Sequence, residues 1–454
     1  MDQVGSYGVE FARDWAEASA RWGDGGDATV FQHKHWLNAW YCAFDAAPLI
    51  AFIVDAAARR DIALVPLVWG RRHGVRVVEF ADLGCSDYNA PILASDAPRD
   101  SASLRAMDSA LLTALRALPE RPDLIHLVKM PLEIRGRPNP LATNGRATAC
   151  PLNGNLVEFT DDFEDYRASI AKIQLSRRWR VFTRNPGARF EIVVNVDEAL
   201  RILDVMDRQQ NKRMKELGER FVLDEPRNAK FYRDVVRRGL EDGYAVVSAL
   251  FCGDEVVATT LGLRHGADYS LVRSSNAGGP WSNCSPSLLC IERTMAAQHR
   301  QGVRHFDLSI GNSDYKRRFG ARPIPMTDVS IALSWRGMPD VLADRAVREL
   351  RRHPRAFAAA KRLRNACGGA SRPAVSYATI SPTYSRAPFN SGCRGLVPMS
   401  LEPTSSLSTL AITERSYRAT IVPASVIVVM IISEAAWLVG LCWLTILLSR
   451  FAFS

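Results

Sequence analysis

Residues 35–44 read HWLNAWYCAF, with Trp36, Leu37, Trp40, Tyr41 and Phe44 at i, i+1, i+4, i+5 and i+8. That spacing puts the large apolar side chains on one helical face, so an amphipathic helix packed on a sheet is predicted. PLIAFIVDA and DIALVPLVWG flank a polar break at Arg59-Arg60 and read as two strands of a meander; VRVVEFA alternates as another strand. A helix over 101–118 and a strand DLIHLVKM follow. From 156 the pattern predicts a basic helix over 165–185, a strand over 189–196 and helices over 197–217 and 228–242. Strands over 244–251 and 255–264 are joined by Cys252-Gly253-Asp254, whose glycine supplies the positive φ of a hairpin turn. A strand over 268–274, a helix over 285–301 and strands over 304–309 and 327–335 complete the pattern. Interleaved helices and strands of this kind imply an α/β fold, a mixed sheet with helices on both faces.

The pattern divides the chain into a unit over 28–155, a second over 156–336 and an Arg-rich helical extension over 337–368. Composition changes after Gly368-Gly369. From 371 to the end there is neither Lys nor Asp, and Ser, Thr and Pro dominate the first half, so 369–420 reads as a linker without a core. Residues 421–449 are almost wholly apolar and long enough to cross a bilayer with tilt, with Glu434 near their centre as the costly exception. A divergent or frame-shifted end is the rival reading of this tail. The N-terminus lacks an apolar signal segment, so the expected location is the cytoplasm, with inner-membrane attachment through 421–449.

The chain has 454 residues and a formal net charge of +10. A basic surplus suits anionic partners. Nine cysteines without a CxxC pair argue against a disulfide framework or a zinc ribbon, and His33-Lys34-His35 lacks further ligands, so no metal is expected.

Four segments could carry chemistry. SSNAGGPWSNCSPSLL places Gly278 and Gly279 in a loop, then Ser285, Pro286, Ser287 and Leu288 at a helix start. Free amides and the positive end of the helix dipole there suit a diphosphate, although a plainly capped helix has the same sequence. AKIQLSRRWRVFTR carries Arg177 and Arg180 opposite an apolar face, either a solvated cationic surface or the border of a groove for an anionic substrate. LGCSDYNAP offers Asp87 and Tyr88 as an Asx-turn or as substrate contacts. In FDLSIGNSDYKRRFGA, Asp307 lies in a strand, and Tyr315 and Lys316 open the helix behind it, a proton donor and a cation at a strand end. Asp307 and Glu255 are the candidate general bases, and a structural role is open to both.

The stretches LSRRWRVFTRNPGARFEIV and SPSLLCIERTMAAQHRQGVRHFDLSIGNSDYKRRFGA resemble the BioF2-like (CelD/BcsL) acetyltransferases of the GNAT superfamily. Their pattern S-P-G-x-L becomes Ser285-Pro286-Ser287-Leu288-Leu289. Their pattern F-D-[FL]-x-x-G-x-x-x-Y-K-x-x-[FW]-G becomes Phe306-Asp307-Leu308, Gly311, Tyr315-Lys316 and Phe319-Gly320. The resemblance implies two tandem GNAT-like units, as in FemAB-type transferases. It implies acetyl-CoA or another acyl-CoA held by the second unit at the loop before Ser285, with Tyr315 and Lys316 closing the cleft. The implied activity is N- or O-acyl transfer to a polar metabolite or a saccharide precursor of the cell envelope. The alternatives are aminoacyl transfer from a charged tRNA and a non-catalytic accessory role in polysaccharide biosynthesis. Ser287 departs from the family's glycine, and the Q/R-x-x-G-x-G/A loop of typical GNAT proteins is absent.

Overall fold

The computed structural model describes residues 6–72, 74–218, 221–311 and 313–353. The expected linker over 369–420 and the apolar segment over 421–449 lie outside them. Among the described residues no helix is long and apolar enough to cross a membrane.

Two mixed α/β units repeat one order of elements. The first runs strand Tyr7–Ala12, helices Trp15–Trp22 and Lys34–Ala43, strands Ile50–Asp55, Arg60–Val65, Leu67–Arg72 and Val75–Phe80, helix Ser101–Ala117 and strand Leu124–Pro131. The second runs strand Ala188–Val193, helices Val196–Glu216 and Pro226–Gly239, strands Ala245–Cys252, Glu255–His265 and Asp268–Asn276, helix Pro286–Arg300 and strand His305–Asp307. Pro66 removes a ladder donor and splits the first unit's middle strand in two. Each unit contains one parallel pair closed over a crossover helix: Val77–Glu79 with Leu124–His126, and Asp268–Ser270 with His305–Asp307.

The first unit begins earlier than 28. Tyr7, Val9 and Phe11 alternate with exposed positions and pack on the first core, and their strand pairs with Ile50–Asp55. Strand Met326–Ala332 leaves the second unit and pairs with Leu124–Pro131, which buries Val329 in the first core. The expected basic helix over 165–185 is three pieces, Phe163–Ser169, Ala171–Ile173 and Leu175–Phe182. Gln174 adopts a left-handed conformation between the last two, so both Ile173 and Leu175 turn inward. The Arg-rich extension forms helix Met338–Arg352.

One apolar core joins the units. Trp36, Trp40 and Phe44 of the first pack with Phe231 and Tyr232 of the second, Trp36 meeting Phe231 edge-on at 4.7 Å. The units therefore hold a fixed relation, and the loop Asp82–Asn89 of the first lies against the end of the parallel pair of the second.

Candidate active site

In the second unit the parallel pair separates. Strand Asp268–Asn276 is bonded to His305–Asp307 only as far as Ser270. Beyond Asp307 the chain pairs elsewhere: the Leu308 N–H donates to the Asn155 carbonyl and the Gly311 N–H to that of Asn153. The turn is made at Ser309, whose φ of 74° lies in the left-handed region, where an L residue pays about 1–2 kcal/mol. Three side chains hold it there. Asp307 Oδ1 accepts from the Ser309 N–H at 2.8 Å, and Asn155 Nδ2 donates to the carbonyls of Ser309 and Gly311, both at 2.8 Å. Lys316 Nζ donates to the carbonyls of Ser309 at 3.1 Å and Ile310 at 2.7 Å.

Tyr315 and Lys316 thus sit beneath the splay and do not lid it. Lys316 is fully buried with its ammonium turned onto the loop carbonyls, and Tyr315 packs in the second core beside Phe319. A one-turn helix, Asp314–Arg318, brings Lys316 back under the loop it follows.

The first unit supplies the other side. Asp87 and Tyr88 are buried against Asp307, so residues from two separate segments form one polar cluster. The Tyr88 hydroxyl lies against Gly154; a Cβ there would sit 1.8 Å from its oxygen. Only a glycine admits the phenol to the edge of the Asp307 strand. Burial pushes the Asp87 carboxyl up to about 7; the Asp307 charge pushes it further, and Ser309, Lys129 and Lys316 pull it back. Burial also raises Asp307 above the usual carboxylate range, against the pull of Tyr88, Lys316 and the amides of Ser309 and Asn155. Tyr88 is held protonated by burial and by the nearby carboxylates. Asp87 and Asp307 are thus both held toward their protonated forms, by burial first, which suits a carboxyl that exchanges protons near its working pH.

The matching place in the first unit is filled. Its strand turns at Lys129, φ 59°, and Lys129 Nζ pairs with Asp82 at 2.7 Å and donates to the Ser86 carbonyl. Asn89 Nδ2 ties Asp82 to the Val128 carbonyl. That plug occupies the first unit's splay and also carries Asp87 and Tyr88 across to the second.

At the far end of strand Asp268–Asn276, Asn276 Nδ2 donates to Ser287 Oγ at 2.7 Å, so the strand ends against the first turn of helix Pro286–Arg300. Ser285 is left-handed, φ 52°, and its own N–H is spent on the Ser282 carbonyl. The Leu288 N–H returns to the Ser285 carbonyl, and the Leu288 side chain is core. Pro286 has no N–H, so Ser287 supplies the first-turn amide without a backbone acceptor. Gly278 and Gly279 take φ of 68° and 56° and open the exposed loop before it. Arg178 donates to Ser285 Oγ and, at 3.0 Å, to the Ile173 carbonyl. One amide, a helix dipole and one guanidinium fit an anionic diphosphate.

Arg177 and Arg180 are exposed, and Arg178 between them is the arginine at the helix start. Glu255 is exposed at the hairpin and accepts from Trp281 Nε1, so it does not join the Asp87–Asp307 cluster. Sequence reasoning missed Arg178, Lys129, Asp82 and Arg273. Arg273 had a signal, a cation in the otherwise uncharged run YSLVRSSN.

No curated protein matches the chain. Among solved structures, FemX superposes with a TM-score of 0.50 at 8% identity, covering 71% of this chain and 97% of its own. L-PGS from Bacillus licheniformis gives 0.42 at 13% identity, covering 72% and 93%. A tandem GNAT protein from the clavulanic acid biosynthesis pathway gives 0.38 at 11%, covering 71% and 98%. The family model described as Acetyltransferase (GNAT) domain matches residues 171–317. These residues hold the splayed strands, the loop at Gly278 and the helix start at Ser285, and it is this stretch that is similar to the GNAT acetyltransferase domain.

Proposed function

We propose that the protein transfers an acyl group from acyl-CoA to an amine or hydroxyl of a polar acceptor. The observation that carries this reading is the splay beside strand Asp268–Asn276, with a buried carboxyl pair at its closed end and an anion site at its open end. The six residue steps from Ser270 to Asn276 span about 20 Å at 3.3 Å each, the length of an extended thioester arm along an unpaired strand edge. Arg178, the Ser287 amide and the loop at Gly278 and Gly279 would hold the diphosphate of the coenzyme.

In this reading the acceptor nitrogen or oxygen bonds to the acyl carbon, and the carbon–sulfur bond breaks. The acceptor's proton passes to the Asp87–Asp307 pair and the departing thiolate takes up a proton. Tyr88, protonated and beside Asp307, is placed to relay it. Lys316 acts as a positioning residue by fixing the strained loop at Ser309. The narrower reading, a BioF2-like enzyme acting on a saccharide precursor of the cell envelope, rests on the Ser285-Pro286 and Phe306-Asp307 motifs.

Calorimetry with acetyl-CoA and release of free thiol with amine and sugar acceptors test the reading. Binding of acetyl-CoA and acceptor-dependent thiol release are expected. The exposed cations Arg177 and Arg180 favour a second reading, aminoacyl transfer from charged tRNA. Binding of charged tRNA with no binding of acetyl-CoA would replace the first reading by the second, and binding of neither leaves the accessory role.

A further inference from the structure

We propose that Arg273 anchors a carboxylate or phosphate of the acceptor, so that the acceptor is an amine or alcohol carrying negative charge near the group acylated. This deepens the acyltransfer reading and rests on it.

Arg273 lies in strand Asp268–Asn276, 1% exposed, on the sheet face covered by helix Val196–Glu216. Its Nη2 donates to Asp207 Oδ1 at 2.6 Å and to Gln210 Oε1. The Gln210 amide is oriented by its own donation to the Ser274 carbonyl at 2.9 Å. Nε and Nη1 are buried and have no partner. A buried donor left unpaired costs about 1–3 kcal/mol and more when charged, which a fully structural arginine avoids. Asp207 is also shared with Arg233 at 2.9 Å, and Arg233 pairs with Asp204 as well, so the two arginines and two carboxylates balance and it is the open Nε and Nη1 valences of Arg273 that remain. The guanidinium instead lies over the Tyr232 ring, 4.9 Å from its centre.

The position matters as much as the valence. The Tyr232 phenol lies within the fields of Arg273 and of Asp82 and Asp87 from the first unit. Tyr232 therefore links Arg273, which lies over its ring, to the loop that carries Asp82 and Asp87. An acceptor held there by an anionic group presents its neighbouring amine or hydroxyl to the carboxyl pair. Outward along the same helix, Arg208, Lys212 and Lys215 recur at i, i+4 and i+7 and continue the positive surface.

Thermal unfolding of the full chain in sodium acetate and sodium phosphate, against chloride at equal ionic strength, tests the anchor without turnover. Acetate and phosphate should raise the Tm of the wild type and do so less in R273M. In parallel, glucosamine 6-phosphate and glucosamine serve as paired acceptors with acetyl-CoA. R273M should raise the KM for the phosphorylated acceptor roughly tenfold or more, from the loss of charge-assisted hydrogen bonds, with the KM for acetyl-CoA unchanged. R273K, which keeps the charge and loses the planar fork, should fall between, and it carries the comparison should R273M fail to fold. Equal anion stabilisation in wild type and variant, or no anion effect on the wild type, would overturn the proposal. Equal use of glucosamine and its phosphate would do the same. Absence of any acetyl-CoA binding sinks the acyltransfer reading instead, and leaves the anion arm to decide on Arg273 itself.

Discussion

At the scale of single residues, Asp87 has the sharpest consequence. Burial pushes its carboxyl up to about 7, well above the usual carboxylate range. The folded state therefore holds this proton over a window in which the unfolded state has released it. The stability tied to Asp87 is complete below about 4 and is lost as pH rises through 7. D87N should flatten that decline, as measured by urea unfolding from pH 4 to 8; an unchanged slope would place the titration elsewhere. On the proposed reading the same proton governs turnover. Activity should then climb with pH to an apparent midpoint near 7 as Asp87 loses its proton, and D87N should lower the rate by about 10²–10⁴ and remove the limb. Gly154 is the companion test. G154A would drive a methyl into the Tyr88 hydroxyl, and overpacking of this kind costs about 1–3 kcal/mol. Tyr88→Phe removes the 1.8 Å collision and leaves the ring carbon at 2.8 Å, so it should restore part of the stability of G154A but not the activity.

At the scale of elements, the helix Asp314–Arg318 explains the odd succession of Phe306-Asp307 and then Tyr-Lys-Arg-Arg. The strand must leave its parallel partner, the bend leaves carbonyls turned inward, and one buried ammonium returns to satisfy them. K316M should therefore act on the loop: a loss of about 1–3 kcal/mol, chiefly from the Ile310 carbonyl, which Asn155 does not reach, and weaker acetyl-CoA binding as the splay relaxes. Retained affinity with unaltered stability would assign the carbonyls other donors. Much of this was legible. Alternation and 3.6-residue spacing mark Ser101–Ala117, Glu255–His265 and Pro286–Arg300 within a few residues of where they lie. Asp87, Tyr88 and Asp307 stood out as polar residues at strand ends. What no spacing shows is that a segment near 87 meets one near 307, because the meeting depends on Gly154 leaving room for a phenol from another unit. The family resemblance placed Lys316 at a cleft mouth; only the left-handed turn at Ser309 makes carbonyls available to hold a buried lysine.

For the whole molecule, the repeat has divided its labour. The two units share an order of elements, and both of their parallel pairs end in a left-handed residue, Lys129 in one and Ser309 in the other. In the first, Lys129 and Asp82 fill the gap; in the second, the gap stays open to the loop that this plug positions. On the proposed acyltransfer reading the first unit contributes to the site, and its attachment cannot be loose. Trp36 is the link: fully buried, edge-on to Phe231, its Nε1 donating to Ser86 Oγ at 3.0 Å within the same Asp82–Asn89 loop. W36A should cost about 3–5 kcal/mol as a large aromatic removed from a core. Because that core runs through both units, the wild type should unfold in one transition by far-UV circular dichroism and by tryptophan fluorescence alike. W36A should split the two signals, the first unit melting earlier, and activity should disappear with that first melt although Asp307, Ser287 and Arg273 all belong to the unit still folded. Two separate transitions already in the wild type would show that the units are joined too weakly for Asp87 to be held at Asp307.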